Sequence, residues 1–360
     1  MTTEPELDGP ALPFGPTTAV PDRLDTGVDR AVEILAQARD MCGPILRESV
    51  DSLPDPLRRM AGYHFGWWNP DGSPSRAGSG KALRPALAFC TAALFDTGPA
   101  LVAPAAAAIE LVHNFALIHD DVIDGDLTRR GIPAVWAVWG MADAVLLGDA
   151  LHALAVRVLV AHVPSAAVGA AVDRMESSVI EMCRGQQEDC SFDGRHVTGV
   201  LDYERMAMGK TGALMGAACA LGALCAGASK AEVSALDRFG RELGLAFQYT
   251  DDLIGIWGDP KVTGKPVSDL KRRKKSLPVV AALRSGTPAA RELTALYQSD
   301  MPMSPADIAR ATHLIEAAGG RETTQYHADQ RIDAAIAELP DLAAAEDLVA
   351  LARIVSHRDR

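Results

Sequence analysis

The sequence predicts an all-α domain, a bundle of ten or more helices, and three observations carry the prediction. Alanine is abundant, aromatic residues make up only 5% of the chain, and β-branched runs are few, a balance that favours helix over sheet. Apolar residues recur at helical spacing through most of the 360 residues, with short breaks between segments. No stretch alternates with period two for long enough to argue a sheet.

Residues 1–24 are rich in Pro, Thr, Gly and acids and show little periodicity. Such a segment cannot bury enough apolar surface to offset chain entropy, so it reads as a disordered tail, with docking of a protein partner as its one further use. From Asp25 onward the spacing turns helical, through Val28, Ala31, Val32, Ile34, Leu35 and Ala38. A loop-like insert from Trp67 to Pro74 ends in Gly78-Ser79-Gly80. Helical segments are then expected over 81–95, 100–124, 141–162, 165–190, 201–226, 230–257 and 276–285, with more towards the C-terminus. No internal repeat of fixed period is visible, and the reading is one all-α domain over 25–360.

The formal net charge of -12 argues against nucleic-acid binding, because phosphate backbones select basic faces. It leaves room for a small anionic substrate in a local basic pocket. Cys42, Cys90, Cys183, Cys190, Cys219 and Cys225 form no CxxC pair and have no His partners at metal spacing. They read as buried small hydrophobes in a reducing cytosol. The first thirty residues lack the basic start and apolar core of a signal peptide. The longest apolar stretches, such as Ala100–Ile109, fall short of the ~20 residues that span a bilayer. The expectation is a cytoplasmic protein without stable membrane insertion.

The strongest chemical signal is the run Ile118-His119-Asp120-Asp121-Val122-Ile123-Asp124-Gly125-Asp126. On a helix Asp120 and Asp124 share a face, with Asp121 one step aside, and like charges at that spacing repel. The preceding Ala105–Ile118 is almost wholly apolar, so the acids close a buried helix, where uncompensated carboxylates are costly enough to call for a cation. Oxygen ligands alone favour Mg2+ over zinc. A second pair, Asp251-Asp252, follows the apolar segment from Leu243 to Thr250. Two acidic pairs, each carried by a hydrophobic helix, suggest two faces clamping one metal–diphosphate cluster.

Cations stand at matching places: Lys81 and Arg84 behind a glycine entry, Arg129-Arg130 just past the first acids, then Lys210, Lys265 and the run 271–275. Beside acid clusters they suit an anion held partly by metal and partly by direct bonds. Alone, the 271–275 run reads as a solvated loop. No Walker-type loop is present, which argues against a nucleotide kinase.

Together these segments resemble the trans-prenyl diphosphate synthases, the polyprenyl synthetase family. The resemblance rests on GKALRP (80–85), ELVHNFALIHDDVIDGDLTRRGIP (110–133), GQQED (185–189), GKTG (209–212), FQYTDD (247–252) and GKPVSDLKRRKKSLP (264–278), in family order. It implies the isoprenoid synthase fold, a homodimer, and a central cavity roofed by the two aspartate motifs. It implies that Asp120, Asp124 and Asp251 hold Mg2+, with Asp121 and Asp252 in support. By position, Lys81, Arg84, His113 and Arg130 match residues that bind isopentenyl diphosphate. Arg129, Lys210, Thr211, Gln248, Lys265 and Lys274 match those that hold the allylic diphosphate, and Gln186 and Asp189 complete the polar wall. The activity implied is condensation of the two diphosphates into a linear trans-prenyl diphosphate.

The chain departs from the pattern at Gly255, where the second motif normally carries its third aspartate. The loop 264–269 looks one residue shorter than usual, and Trp136 replaces a common His, with packing as its only assigned role. Product length is expected to follow the helix before Asp120, where Phe115 is large and Ala116 small; by resemblance this sets a floor for geranylgeranyl diphosphate, with farnesyl diphosphate second. Two alternatives stand beside the synthase: a terpene cyclase on the same fold, which would leave Lys81, Arg84, His113 and Arg130 idle, and a non-catalytic subunit, which Gly255 would favour.

Overall fold

The computed structural model describes residues 23–75, 80–192, 199–258, 269–299 and 301–356. The expected tail lies outside them except for its last two residues, which already belong to the first helix, and so does most of the loop 264–269 with Lys265. The chain begins with α1 (Arg23–Asp51), α2 (Leu57–His64), α3 (Leu83–Ala93) and α4 (Pro99–Asp124). A two-residue hairpin, β1 (Thr128–Arg129) with β2 (Ile132–Pro133), follows, then α5 (Val135–Trp139), α6 (Met141–His162) and α7 (Ser165–Phe192). A continuous helical span comes next: α8 (Val200–Ala207), a π-helical turn (Met208–Gly212) and α9 (Ala213–Cys225). The rest is α10 (Lys230–Trp257), α11 (Leu277–Arg284), α12 (Pro288–Gln298), α13 (Pro305–Ala317), α14 (Gly320–Ala337) and α15 (Glu346–Ser356).

The all-α expectation holds, and the seven expected segments from 81 onward match helices to within a few residues. The long helices start and stop where their residues direct. Ser229 and Glu232 form a reciprocal capping box at the start of α10, satisfying two of the N–H groups that a helix start leaves free. Gly125, at φ 67°, ends α4 in the left-handed region that glycine enters without penalty. At the centre, α4 packs against α3, α6 and α9, while α10 packs against α9 and α14. In α1, Ala31, Ile34 and Ala38 are buried as their spacing predicts, but Val28 and Val32 face solvent; the helix buries one narrow stripe.

Two expectations need correction. Three helical spans, Pro99–Asp124, Met141–His162 and Val200–Cys225, are long and apolar enough to cross a bilayer, contrary to the reading that every apolar stretch was too short. Polar residues such as Glu110 and Asn114 interrupt the run in sequence without interrupting the helix. In the first and third spans 78% and 83% of the apolar window is buried inside the protein, so their apolarity serves the core; in α6 the share is only 44%. The second correction concerns cysteine. Cys42, Cys90, Cys219 and Cys225 are buried, but Cys183 and Cys190 are exposed. Cys183 is close enough to Asp120 to feel its charge, so this side of α7 faces the acids of α4 rather than the core.

Candidate active site

The last turns of α4 carry Asp120, Asp121 and Asp124 at the end where the helix dipole is negative, which adds to the cost of acids there. Burial raises the Asp120 carboxyl and the charge of Lys210 draws it back down. Asp124 keeps a surface open to solvent, yet surrounding protein raises its carboxyl against the pull of Lys210, with Asp189 adding to the rise. Asp121 turns inward and is 1% exposed. Its Oδ1 accepts from Arg129 Nε at 2.8 Å, but burial still leaves the carboxyl raised.

The double arginine splits in two directions because of the turn that holds it. Arg130 and Gly131 have φ of 54° and 80° between the two short strands, the type I′ pattern that suits a tight hairpin. Arg129 faces the acids, while the Arg130 guanidinium reaches back to Asn114 Oδ1 at 3.3 Å and the His64 carbonyl at 3.5 Å. A Cβ at Gly80 would lie 2.8 Å from Arg130 Nη2, so glycine there lets the guanidinium rest against the loop that leads to Lys81 and Arg84. Trp136 does more than pack: its indole N–H donates to the Asp126 carbonyl at 2.7 Å, tying down the acid loop.

This corner is a cation pocket with a buried counter-charge. Glu110 is buried, and burial raises its carboxyl while Arg84 and Arg130 pull it down. Asn114 Nδ2 donates to Glu110 Oε1 at 3.2 Å, and its Oδ1 meets His64 Nε2 at 3.1 Å. Burial and the neighbouring arginines push His64 down to about 3 and hold His113 well below the usual imidazole range, so both are neutral near pH 7. Glu110, Asn114 and His64 were missed in the sequence, although a lone acid amid the apolar residues of α4 was a signal for the first.

The opposing face is assembled from α7, the π turn and α10. Glycines let these backbones touch: a Cβ at Gly185 would lie 2.8 Å from the Gly209 carbonyl carbon, and one at Gly244 would lie 3.1 Å from Gly212 N. The π turn, a device often found at functional sites, presents Lys210 and Thr211 into the gap. Lys210 Nζ pairs with Asp189 at 2.7 Å, and Thr211 Oγ1 donates to Gln248 Oε1 at 2.8 Å. Burial pulls Lys210 down, but Asp120 and Asp189 outweigh it and leave the ammonium raised. Asp251 is partly exposed on this face. Asp252 is not: it accepts from Tyr203 O–H, Gln248 Nε2 at 3.1 Å and Leu277 N–H at 2.8 Å, fastening α8, α10 and α11 together.

The basic run at 271–275 is solvated only at its start, where Lys271 and Arg272 are exposed, while Arg273, Lys274 and Lys275 are partly buried. Arg272 pairs with Asp126, Arg273 and Lys275 donate to backbone carbonyls, and Lys274 lies among acids. Burial lowers Lys274, but Asp269, Asp252, Asp189 and Asp251 outweigh it, while Asp124 of α4 also feels its charge. Lys210 and Lys274 therefore stand between the two acidic faces. Five residues before Asp120 on α4, Phe115 stacks on His152 (centroids 5.2 Å, planes 18° apart) and meets His119 edge-on at 4.8 Å. His152 Nε2 lies 3.0 Å from both Glu176 oxygens, so α6 and α7 back the Phe115 ring. Ala116, its neighbour, is partly exposed.

The donor set suits Mg2+ bound together with an anion. Its acids are all oxygen ligands, the preference of a hard cation, and buried Asp121 Oδ2 and Gln186 Oε1 have no hydrogen-bond partner among the described residues. Among those residues no three His, Cys, Asp or Glu side chains are grouped closely enough to hold an ion alone. That agrees with the habit of Mg2+ of taking one or two carboxylates and completing its shell with water and phosphate.

The sequence profile of the polyprenyl synthetase family matches residues 75–315. The geranylgeranyl diphosphate synthase of Mycobacterium tuberculosis H37Rv is 53% identical over 332 residues, covering 92% of this chain and 95% of its own. A (2E,6E)-farnesyl diphosphate synthase of the same strain is 42% identical over 326 residues, covering 88% and 90%. The crystal structure of a polyprenyl synthetase from Streptomyces coelicolor A3(2) superposes with a TM-score of 0.86 at 41% identity, covering 91% of this chain and 99% of that one.

Proposed function

This chain belongs to the polyprenyl synthetase family, and we propose that it condenses isopentenyl diphosphate with an allylic diphosphate, with Mg2+ as cofactor, to give geranylgeranyl diphosphate, farnesyl diphosphate being the second choice. The observation that carries this reading is the pair of acidic faces on α4 and α10 set across Lys210 and Lys274, beside a separate cation pocket of Arg84, Arg130 and neutral His113. One anion site has several acids for a metal, and the other has the single buried Glu110 held by Asn114, as expected for one diphosphate that leaves and one that is only held.

In this reading Asp120, Asp124 and Asp251 hold Mg2+, which when bound supplies charge that stabilises the leaving diphosphate. Arg129, Lys210, Thr211, Gln248, Lys265 and Lys274 orient the allylic diphosphate and stabilise the negative charge its oxygens gain when the leaving diphosphate takes the electron pair of the breaking C–O bond. Lys81, Arg84, His113 and Arg130 fix isopentenyl diphosphate so that its double bond attacks the allylic carbon, forming the new C–C bond. The proton then lost goes to the released diphosphate or to a nearby carbonyl or hydroxyl. The apolar wall of α4 keeps water from the cation, and Phe115, backed by His152, is the floor that stops the growing tail. A homodimer is supported by the apolar stripe that α6 leaves exposed, with Met141, Val145, Leu146 and Val160. Cysteines kept as thiols rather than joined in disulfides fit a reducing cytoplasm.

Two-substrate kinetics test the proposal. Diphosphate release in Mg2+ requires both substrates, and Arg84→Ala raises the KM for isopentenyl diphosphate while leaving that for the allylic partner. Release from the allylic diphosphate alone, with a hydrocarbon product, would make the protein a cyclase; no release from any combination would make it a non-catalytic subunit.

A further inference from the structure

Gly255 lies one turn beyond Asp251 on α10, where the second acidic motif would carry its third carboxylate. The space is filled. A Cβ at Gly255 would lie 2.7 Å from Asp269 Cγ and within clashing distance of its Oδ2, so the Asp269 carboxylate occupies the volume into which a side chain at 255 would project. Positions 251 and 255 are neighbours on one helix face, which sets Asp269 beside Asp251.

The loop that brings Asp269 there is pinned. Leu270 next to it is 1% exposed and packs with Ile256 and Val279. The Asp269 carbonyl accepts from Lys274 N–H at 2.9 Å and the Leu270 carbonyl from Arg273 N–H at 3.0 Å. Of the charges acting on Lys274, that of Asp269 is the strongest, in keeping with the closeness that their backbone hydrogen bond imposes.

We propose that Asp269 is the missing third acid of the second motif: the loop before α11 supplies in space the carboxylate that Gly255 lacks in sequence, and residue 255 is glycine because Asp269 needs its room. This rests on the metal–diphosphate reading above and deepens it. Asp269 is a positioning residue, a negative charge beside Asp251 for the cation that accompanies diphosphate.

The test is calorimetric binding of inorganic diphosphate in Mg2+ to the full chain, with circular dichroism confirming each fold. Asp269→Asn, which keeps shape and loses charge, weakens binding by about tenfold or more, the scale of lost supporting partners at metal sites. Asp269→Gly does the same, and the exchange Gly255→Asp with Asp269→Gly returns binding to near the wild-type strength. A lost structural contact would not be rescued by moving the carboxylate to another chain position. Wild-type binding by Asp269→Asn, or an exchange variant as weak as Asp269→Gly, overturns the proposal. Asp251→Asn tells the two levels apart. If it binds weakly while Asp269→Asn does not, this inference alone fails; if it too binds normally, the metal–diphosphate reading fails and this inference with it.

Discussion

Replacing Asp252 by alanine removes an acceptor that three donors share: Tyr203 O–H, Leu277 N–H at 2.8 Å and Gln248 Nε2 at 3.1 Å. The residue is 1% exposed, so water does not take the carboxylate's place. Each donor left unsatisfied costs about 1–3 kcal/mol, a gross loss of about 3–9 kcal/mol. Against this, burial raises the Asp252 carboxyl to about 6, and the same burial makes its charged form costly by about 3 kcal/mol, which alanine relieves. The balance spans about 0–6 kcal/mol with its centre near a loss of about 3 kcal/mol, and at roughly 2 °C per kcal/mol for a large domain the melting temperature falls by about 6 °C. Thermal melting by circular dichroism without ligand measures it, with Asp251→Ala alongside. The neighbours should part: Asp252→Ala loses stability first, while Asp251→Ala loses turnover far more than stability. An Asp252→Ala variant that melts like wild type yet has no turnover would refute this assignment and put Asp252 among the metal-facing groups.

Asp120→Ala should abolish turnover and leave the helical circular dichroism unchanged; near-normal activity would contradict a metal role for the first acidic face. Phe115→Ala should lengthen the prenyl product, read by mass spectrometry, whereas an unchanged length would show that the floor lies elsewhere. For acid stability the sign follows from His64. Its folded pKa is lowered to about 3, so the unfolded chain takes up a proton below about 6.5 that the folded protein refuses. The stabilisation is complete above pH ~6.5 and is lost progressively as pH falls towards 3, by up to a few kcal/mol. His64→Gln keeps a donor for Asn114 without a titrating ring, so its urea midpoint should fall less between pH 6.5 and 4 than that of wild type. Equal slopes would assign the acid lability to other groups; raised carboxyls such as Asp252 act with the opposite sign in this window, and the comparison cancels them.

What the sequence disclosed was whatever is local in the chain. Apolar periodicity located the long helices because a helix must repeat its buried face, and the acids at the end of α4 were conspicuous because their cost is local too. Features made by distant segments were hidden. Nothing near residues 271–275 announces that Arg272 will meet Asp126, which turns an apparent solvated run into a bridge between the acidic faces. The resemblance gives Arg129 and Arg130 different partners, but only the left-handed backbone at Arg130 shows how adjacent residues are sent opposite ways. Asp252 reads as a support for the ligand Asp251, and only the arrival of α8 and α11 shows that it is buried and ties those helices to α10. Gly255 reads as a loss in sequence, and only the folded loop shows Asp269 standing in the same space. The exposed thiols of Cys183 and Cys190 were misread for the same reason, since residue type says little about which side of a helix faces the core.

The central claim is that this site joins two diphosphates into a longer chain. Its most direct test is the mass spectrum of alcohols released by phosphatase after the purified protein meets Mg2+, isopentenyl diphosphate and farnesyl diphosphate together. Geranylgeraniol is the expected main product, formed only when all three are present. Farnesol recovered unextended, or a hydrocarbon formed without isopentenyl diphosphate, would contradict it.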